Sequence, residues 1–536
     1  MNILLIRPPV YQRSISYPEG PRFGLPLGLL YLAGSLEAAG CKVVVYDALT
    51  DFDFRNIQKN SDGTFHIGAA WEHISTRVAR EKPDMVGITN PFSDFAQQTI
   101  MTARCVRSVV PDIVPIIVGG PHASSSPADF LNQETDIDCV LRGEAEISIV
   151  KLAQAVDDGK KWEDVPGASW RDAGGIRHSA LASFIENLDC LPFPAYHLVD
   201  VERTFDLVRA GFPSRYTFDY PGSEREVSLV TSRGCPFRCV FCGNHLHMGR
   251  QWRSHSADYV LRHMQFLISN YDVRHFHLED DNITLNVARF EKILDGLVKR
   301  QWNVTWDTPN GVRAEGLDEH LLRKTKASGC TYLTIGVESG NQHVLDEIIH
   351  KNLDLECARE IARICWRVNL DLHAFYVIGF PGETPQEIQE TFLFALELLK
   401  RHFVIPHLCM ARPLPGTELQ EICEKNGFLT EPMLPDAGSG LRGEVFIRRM
   451  IKTDLFNPDS LEKWIAVFNR NVVRVIVFQS VLWLCRHPII TVTITSRFIK
   501  MLLTVGVVPA IKKIFYSGLF FRNNYLHDHR SLSLRK

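Results

Sequence analysis

Three cysteines stand close together in one short segment, Ser232-Arg233-Gly234-Cys235-Pro236-Phe237-Arg238-Cys239-Val240-Phe241-Cys242. Their spacing is C-x3-C-x2-C. Three thiolates on one loop can hold three irons of a cubane and leave the fourth iron open, because a complete [4Fe–4S] cluster normally takes four cysteine ligands. An open iron can bind a further ligand, so Cys235, Cys239 and Cys242 are candidate ligands of a catalytic iron–sulfur cluster.

The same three cysteines could instead hold a structural zinc ion, with His245 or His247 as the fourth ligand, because Cys3His is a common zinc set. The spacing favours the cluster and leaves zinc open. The chain has 13 cysteines in all. The others are scattered singly, and we interpret them as buried small side chains and not as a disulfide framework.

Two further patterns near predicted strand ends could carry polar chemistry. Asp280 and Asp281 form a carboxylate pair that could serve as general acid and base, or could equally form a turn or cap a helix. The segment Thr384-Pro385-Gln386-Glu387 has the pattern of a capping box with proline at the first helical position. We therefore expect Thr384 and Glu387 to start a helix and not to contact a ligand.

The elements that must position these residues alternate between strand and helix over residues 226–425. Six short apolar runs separated by helical stretches predict a partial (βα)6 barrel of the TIM type. The predicted strands are 227–230, 275–278, 304–307, 332–335, 374–378 and 404–410. The cysteine loop follows the first of them, in the position where barrel enzymes carry active-site residues.

A second alternation covers residues 1–155, with predicted strands at 2–6, 42–46, 84–89 and 114–118, and a helix at 28–39. This pattern predicts an α/β domain with an open, Rossmann-like parallel sheet. Ligands of such sheets bind beyond the carboxyl ends of the strands. The candidate binding loops are therefore 8–11, 90–93 and 119–123, and residues 156–225, which lack sustained periodicity in their second half, are predicted to be a linker.

The region after residue 225 resembles the radical S-adenosylmethionine (SAM) superfamily. The resemblance lies in the C-x3-C-x-aromatic-C loop and in three later motifs in the family's order, Leu278-Glu279-Asp280-Asp281-Asn282, Gly336-Val337-Glu338-Ser339-Gly340 and Ile378-Gly379-Phe380-Pro381-Gly382-Glu383-Thr384. It implies that the three cysteines hold a [4Fe–4S] cluster, that the open iron binds the amino and carboxylate groups of SAM, and that a 5′-deoxyadenosyl radical results.

The same resemblance implies a set of SAM contacts, namely Phe241, Asn282, Arg313, Glu338 and Ile378. Phe241 would lie near the adenine, Glu338 would hold the ribose or the amino group, and backbone around Ile378 would meet the adenine edge. No residue is assigned a catalytic acid or base role.

Residues 1–155 resemble the cobalamin-binding domain that precedes the barrel in many radical SAM enzymes. The matching pieces are Arg7-Pro8-Pro9, Pro26-Leu27-Gly28-Leu29-Leu30-Tyr31-Leu32-Ala33, Val118-Gly119-Gly120-Pro121-His122 and Arg142-Gly143-Glu144-Ala145-Glu146, with Ala145 where the family commonly has glycine. The resemblance implies bound cobalamin, with contacts expected from Pro9, Tyr11, Leu27, Asn90, Gly119, Gly120, His122 and Glu144. His122 could instead satisfy a turn carbonyl beside the glycine pair.

This region lacks the D-x-H-x-x-G motif with which cobalamin methyltransferases and mutases usually supply a histidine to the cobalt. The loop after the first strand reads Pro8-Pro9-Val10-Tyr11-Gln12-Arg13, and the segment from Asp62 to His66 has the wrong spacing. The resemblance therefore implies a cobalt with a weak or absent lower ligand, which suits reduction to Co(I).

The last region, residues 426–536, is predicted to be helical, and beyond Glu462 its only acidic residue is Asp528. Basic residues interrupt the apolar run about every ten residues, roughly half the length that a helix needs to cross a bilayer, so we expect no membrane span. The basic residues that interrupt the run are Arg470, Arg474, Arg486, Arg497, Lys500, Lys512 and Lys513. The region could lie in a membrane interface near a lipid substrate, or cap the barrel; capping is favoured slightly.

The formal net charge of -3 gives no overall basic field, so no nucleic-acid partner is expected. The first residues lack the basic and apolar regions of a signal peptide, which predicts a cytoplasmic protein, with membrane association only through the last region. The predicted function is cobalamin-dependent radical methylation of an unactivated carbon in a small-molecule or lipid substrate, with a reductant such as flavodoxin or ferredoxin. Two alternatives stay open: a cobalamin-dependent radical cyclase or oxidoreductase, and a cobalamin- or lipid-binding protein without turnover.

Overall fold

The computed structural model describes residues 1–12, 22–212, 223–430 and 451–486, apart from residues 55–56, 58, 62, 133–135 and 161, and for residues 480–486 it describes the backbone alone. Parts of two sequence-based predictions lie outside these residues. They are residues 213–222 of the predicted linker, and residues 431–450 and 487–536 of the predicted C-terminal region.

The described residues of the first region form nine strands: β1 (Asn2–Arg7), β2 (Val10–Gln12), β3 (Lys42–Asp47), β4 (Phe65–Ile67), β5 (Met85–Thr89), β6 (Ile116–Gly119), β7 (Cys139–Leu141), β8 (Ala168–Asp172) and β9 (Gly175–His178). Seven of them form one sheet in the order β3-β1-β5-β6-β7-β8-β9. The first five of that order pair in parallel, and β8 and β9 add antiparallel strands at the edge. The predicted Rossmann-like parallel sheet is confirmed.

The helices described beside this sheet and in the segment after it are α1 (Leu27–Ala38), α2 (Trp71–Glu81), α3 (Ala96–Arg107), α4 (Pro121–Ser125), α5 (Glu146–Asp157) and α6 (Val201–Arg209). Strands β8 and β9 and helix α6 all lie in residues that the sequence analysis interpreted as linker. Helix α6 has a continuous buried face, but at nine residues its periodicity is too short to stand out beside the surrounding prolines. The predicted domain boundaries near residues 155, 225 and 425 stay predictions.

The second region contains the strands β10 (Glu226–Leu229), β11 (Ser232–Arg233), β12 (Arg253–Ser254), β13 (His275–Leu278), β14 (Thr305–Asp307), β15 (Tyr332–Glu338), β16 (Asp371–Ile378) and β17 (Ile405–Met410). Six of them form two parallel ladders, β10-β13-β14 and β15-β16-β17. Single parallel bridges, Trp306 to Cys330 and Val312 to Ile335, join the ladders. All six predicted barrel strands are confirmed within a few residues.

The helices of this region are α7 (Ala257–Tyr271), α8 (Val287–Arg300), α9 (Glu319–Ala327), α10 (Leu355–Val368), α11 (Pro385–His402) and α12 (Glu418–Lys425). Helix α11 starts as predicted: the Thr384 side chain accepts from the Glu387 backbone, and the Glu387 carboxylate accepts from the Thr384 N–H at 2.8 Å. The capping box is confirmed, and the helix that it starts covers the outer face of β16 and β17.

In the described part of the C-terminal region, helix α13 (Pro458–Arg486) packs against α11. Phe468 stacks on Phe392 with ring centroids 4.9 Å apart, and Ile476 packs on Leu399. The Gln479 amide donates to the Lys400 carbonyl at 2.8 Å. This part of the C-terminal region caps the barrel. Among the described residues, no helix combines the length and the apolar character needed to cross a membrane.

Candidate active site at the meeting of two sheets

The cysteine loop spans residues 234–252 and is closed at its base by the two-stranded hairpin of β11 and β12. Backbone hydrogen bonds hold its shape: Cys235 N–H donates to the Gly249 carbonyl at 3.3 Å, and Cys242 N–H donates to the Cys239 carbonyl at 3.1 Å. All three cysteines are partly buried, with free thiols. The chain brings three sulfur donors together on one loop.

Burial raises the pKa of all three thiols, and for Cys242 it raises the pKa to about 11, with the neighbouring thiols adding to the effect. The cations of Lys351 and Arg313 act in the opposite direction on Cys235 and Cys239. Three adjacent thiols beside two cations fit an iron–sulfur cluster, because the cations offset the negative charge of bound thiolates.

The two histidines considered for zinc are placed differently from each other. His245 Nδ1 lies 3.1 Å from the carbonyl oxygen of Cys242. His247 lies beside the cavity described below, and burial lowers its pKa to about 4, so it is neutral at physiological pH. One ring nitrogen of His245 therefore already faces a backbone oxygen of the loop.

Glu338, a predicted SAM contact, ends β15 with an unusual backbone angle, φ 70°. The strand shifts register between Gly336 and Glu338, which turns the carboxylate into the barrel mouth. There it accepts a hydrogen bond from the buried ammonium of Lys351 at 2.8 Å. The role of Lys351 was not predicted, because this isolated lysine belongs to no recognisable sequence motif.

Arg313 and Asn282, also predicted SAM contacts, are held by protein groups in different ways. The Arg313 guanidinium stacks 3.7 Å from the centroid of the Phe237 ring in the cysteine loop and donates to the Lys351 carbonyl at 2.8 Å. It also pairs with Glu315. Asn282 is buried shortly after β13, where its backbone carbonyl oxygen accepts from the Trp252 indole N–H at 2.9 Å.

The two remaining predicted SAM contacts lie at the end of β16. The rings of Phe241 and Phe380 are 5.7 Å apart, which places the cysteine loop against the turn after Ile378. The carbonyl of Ile378 accepts from Ala411 N–H at 2.8 Å. Glu383 shapes the turn by accepting from the backbone N–H groups of Gly379 and Phe380 at 2.6 and 3.1 Å. All five predicted SAM contacts thus surround the mouth of the barrel next to the cysteines.

The two neighbouring carboxylates, Asp280 and Asp281, have different surroundings. Asp280 is buried and accepts from Thr231 N–H and Oγ1 at 3.1 and 2.8 Å and from the Ser232 hydroxyl, so it ties β13 to β11. Asp281 accepts from Gly234 N–H at 3.2 Å and lines the cavity, whose walls displace hydration and raise its pKa to about 6. The structure makes Asp280 a structural group and leaves Asp281 as the candidate acid or base.

The predicted cobalamin loops meet at the carboxyl ends of β5 and β6. Asn90 N–H donates to the Gly119 carbonyl at 2.7 Å, and the Asn90 side chain donates to Thr99 at 3.0 Å. Gly120 has φ 123°, and a Cβ at this position would lie 2.3 Å from the Asn90 carbonyl oxygen. Only glycine fits at position 120, which explains the second glycine of the Gly-Gly pair.

His122 is buried just after this turn, on α4. Its Nδ1 lies 3.0 Å from the Ser93 hydroxyl, and its Nε2 lies 3.2 Å from the Asp129 carboxylate. Both named partners are side chains and not the turn carbonyl that the sequence analysis considered.

Pro9, Tyr11 and Leu27 lie near the end of β1. Pro9 is buried, Tyr11 accepts from the Trp71 indole N–H at 3.2 Å, and Leu27 begins α1. His66 packs edge-on to Tyr11 at 5.3 Å between ring centroids, on a short strand that pairs with β2. The antiparallel pairing of β2 with β4 was not predicted, because strands of three residues have too little periodicity.

Glu144 is placed differently from its predicted role. Both of its carboxylate oxygens accept from arginines of the cysteine-loop hairpin, Arg233 at 2.9 Å and Arg253 at 2.7 Å, and it also accepts from Ile185 N–H. The side chain is 2% exposed. Its geometry fits a link between the two regions and not a cobalamin contact.

A cavity of about 390 Å³ lies between loops of the first region and loops of the second region. One wall comes from the first region and consists of Pro91, Phe92, Ser93, Asp94, Pro121, His122 and Ser125. The opposite wall comes from the second region and consists of Gly243, Asn244, Leu246, His247, Asp281, Arg412, Pro413, Leu414 and Pro415. A bound group here would adjoin the residues after the glycine turn on one side and the segment after Cys242 on the other, so the cavity lies between the predicted cobalamin loops and the cysteine loop.

The interior of the barrel carries a buried histidine pair that the sequence analysis missed. His275 and His277 lie 3.0 and 2.9 Å from opposite oxygens of Asp307, and their other ring nitrogens lie 2.7 Å from Thr305 Oγ1 and 3.5 Å from Glu226. The donor atoms are as close as metal ligands would be. Burial alone would lower the pKa of His277, but the Asp307 and Glu226 carboxylates together raise it to about 10, so a proton supplies the positive charge.

Two protein-family models match the chain, one for each region. The radical SAM superfamily model matches residues 229–395, and the B12 binding domain model matches residues 22–153. The first match contains the whole cysteine loop, and the second contains the loops on the other side of the cavity.

Two curated relatives align over most of the chain. Cytidylyl-2-hydroxyethylphosphonate methyltransferase of Streptomyces wedmorensis is 29% identical over 88% of this chain and 89% of its own length. Anaerobic magnesium-protoporphyrin IX monomethyl ester cyclase of Rubrivivax gelatinosus is 26% identical over 79% of this chain and 72% of its own length.

Among solved structures, the radical SAM methyltransferase TsrM from Kitasatospora setae, with cobalamin and a [4Fe–4S] cluster bound, shares the fold. The TM-score is 0.63, at 18% identity over 88% of each chain. The two family models, together with the aligned methyltransferase, show that the chain belongs to the radical SAM enzymes with a B12-binding domain, whose cofactors are a [4Fe–4S] cluster, SAM and cobalamin.

Proposed function

We propose that this enzyme methylates an unactivated carbon of a small-molecule or lipid substrate. The observation that carries the proposal is the cavity to which both regions contribute a wall. A substrate beside it would lie within reach of both cofactor sites. The similarity to a methyltransferase over most of both chains supports this reaction class.

Cys235, Cys239 and Cys242 are the proposed cluster ligands, with Phe241, Asn282, Arg313, Glu338 and Ile378 as the proposed SAM contacts. When bound, the cluster and SAM supply a hydrogen-abstracting radical and cobalamin supplies the methyl group. The chain's own groups position these partners. Lys351 and Arg313 place positive charge beside the thiols, and Lys351 holds Glu338 in one orientation.

On the cobalamin side we propose that the backbone does most of the positioning. The Gly119-Gly120 turn brings main chain to the cavity without side chains, and Asn90 is fixed beneath it. Pro9, Tyr11, Leu27 and His122 would add contacts around this turn. Glu144 is left out of the proposed set because its oxygens are engaged elsewhere.

A radical cyclase or oxidoreductase is the second candidate, and the alignment with a magnesium-protoporphyrin ester cyclase favours it specifically. The two functions differ in what becomes of SAM. A cobalamin-dependent methylase consumes SAM as a methyl donor and releases S-adenosylhomocysteine, whereas a cyclase that only abstracts hydrogen releases 5′-deoxyadenosine.

Either function needs an electron donor, and a flavodoxin or ferredoxin is the proposed partner. Membrane contact through the C-terminal region stays part of the proposal for a lipid substrate, because the exposed face of α13 carries Val467, Val477 and Phe478 beside Arg470 and Arg474.

The test is anaerobic reconstitution of the full chain with iron, sulfide and hydroxocobalamin, followed by incubation with SAM and a chemical reductant. The proposal expects about four irons and one cobalamin per chain, with formation of both S-adenosylhomocysteine and deoxyadenosine. Deoxyadenosine without S-adenosylhomocysteine would favour the cyclase, and neither product would favour a binding protein.

A further inference from the structure

Four buried charges join the first region to the cysteine loop. We call Glu144, Glu146, Arg233 and Arg253 the clamp. Arg233 donates to Glu144 at 2.9 Å and to Glu146 at 2.6 Å, and Arg253 donates to Glu144 at 2.7 Å. All four side chains are at most 8% exposed. The clamp therefore forms a charge-balanced network that is shielded from water.

The arginines of the clamp stand at the two ends of the cysteine loop. Arg233 and Arg253 are direct partners across the β11–β12 hairpin, and all three cysteines lie in the segment between them. Cys235 follows Arg233 by two residues. Two like charges directly opposite on a hairpin repel each other, so the hairpin relies on the Glu144 carboxylate that bridges them.

The glutamates of the clamp are connected to the glycine turn on the other side of the cavity. Gly143, the residue before Glu144, has φ 79°, and its N–H donates to the Ser124 hydroxyl at 2.9 Å. Ser124 lies on α4, and its hydroxyl in turn donates to the Gly120 carbonyl at 2.9 Å. Hydrogen bonds thus connect the predicted cobalamin turn to both ends of the cysteine loop.

Burying four charges costs free energy, and networks of this kind can often be replaced by apolar side chains without loss of stability. The clamp differs from a general stabilising contact in its geometry. Arg233 uses separate nitrogens of its planar guanidinium for two carboxylates, a fixed fork that the single nitrogen of a lysine lacks. Burial alone would raise the pKa of Glu146, but the Arg233 guanidinium lowers it below its ordinary value, so the carboxylate is ionised at neutral pH.

We propose that the clamp sets the distance and orientation of the cysteine loop relative to the cobalamin turn. Glu144 and Glu146 are positioning residues: they act through Arg233 and Arg253 and contact neither cofactor. This inference rests on the proposed function in one respect, the assignment of the cluster to the three cysteines.

The test uses Glu146→Gln in the reconstituted full chain, because glutamine has the same shape and lacks the charge. Iron and cobalamin content are measured first. Pulsed electron paramagnetic resonance then measures the dipolar coupling between the reduced cluster and cob(II)alamin, a readout independent of turnover. We expect the variant to keep both cofactors and to show a shifted, broader distance distribution than the wild type.

Arg233→Lys is the second variant, since lysine keeps the charge and replaces the planar two-nitrogen fork by a single, shorter-reaching ammonium. It covers the case in which Glu146→Gln fails to fold, and it should show the same broadening. Asp138→Asn is the matched control: it breaks the Arg107–Asp138 pair, 2.6 Å apart, which lies just before β7, at the opposite end of that strand from Glu144 and Glu146, and it should leave the distance unchanged.

A folded clamp variant with both cofactors and the wild-type distance distribution would overturn the positioning role. A broadened distribution in Asp138→Asn would also overturn it, because any loss of stability would then have the same effect. A wild type that takes up cobalamin but no iron would instead overturn the proposed function.

Discussion

The strand ends of the first sheet and those of the barrel present different chemistry. At β5 and β6 the terminal groups are neutral: the Asn90 amide and the backbone of Gly119 and Gly120. At the barrel mouth they are charged, with Glu338 paired to Lys351. The neutral edge is suited to holding a large cofactor by shape and backbone, and the charged edge to holding a zwitterion and a charged cluster.

The largest effect should come from the charged edge. Replacement of Cys235, Cys239 and Cys242 together by alanine should reduce iron from about four per chain to background, because no thiolates remain to hold the cluster. Cobalamin content should stay at the wild-type level. Cys190→Ala, which removes an exposed single cysteine, is the control and should keep its iron. Loss of both cofactors from the triple variant would show that cobalamin binding depends on the cysteine loop.

The ion pair at the barrel mouth should be the next most sensitive point. Lys351→Ala leaves the buried Glu338 carboxylate without its ammonium partner, which should lower the free energy of unfolding by about 3–5 kcal/mol. Chemical denaturation of the apo protein measures this. The double variant Lys351→Met with Glu338→Gln should recover part of the loss, and a single variant as stable as the wild type would show that the pair is solvated.

The neutral edge should respond to added volume. Gly120→Ala places a Cβ against the Asn90 carbonyl oxygen and forces an unfavourable backbone angle, so we expect a loss of about 1–3 kcal/mol and weaker cobalamin uptake, with iron retained. Gly28→Ala is the control, because a Cβ there meets nothing within 4 Å. Unchanged cobalamin uptake in Gly120→Ala would move the cobalamin contacts away from this turn.

The smallest effect concerns pH. Burial raises the pKa of the Cys235, Cys239 and Cys242 thiols, so they are protonated at neutral pH and must lose protons to bind iron. The thiolate fraction rises as pH approaches these raised values. Cluster assembly, followed by absorbance, should therefore be faster at about pH 8.5 than at about pH 7. A rate independent of pH would indicate that proton loss does not limit iron uptake.

Local patterns in the sequence predicted the six barrel strands, four parallel strands of the first sheet and the start of α11. The β13 strand at His275–Leu278 and the capping box at Thr384 were predicted without error, because strand pairing and helix capping here depend on neighbours within a few residues. The loops that carry the candidate site followed from those strands, since strand ends define the edge of a parallel sheet.

The sequence by itself thus determined the parallel sheet of the first region, the barrel strands that follow it along the chain and the three-cysteine loop. Only the tertiary structure decided the use of charged residues that lack a local partner. Glu144 has its arginines 89 and 109 residues away, and Asp280 accepts from groups 48 and 49 residues away. The physical reason is that the energy of a buried charge depends on what surrounds it in space, and chain folding alone brings those partners together.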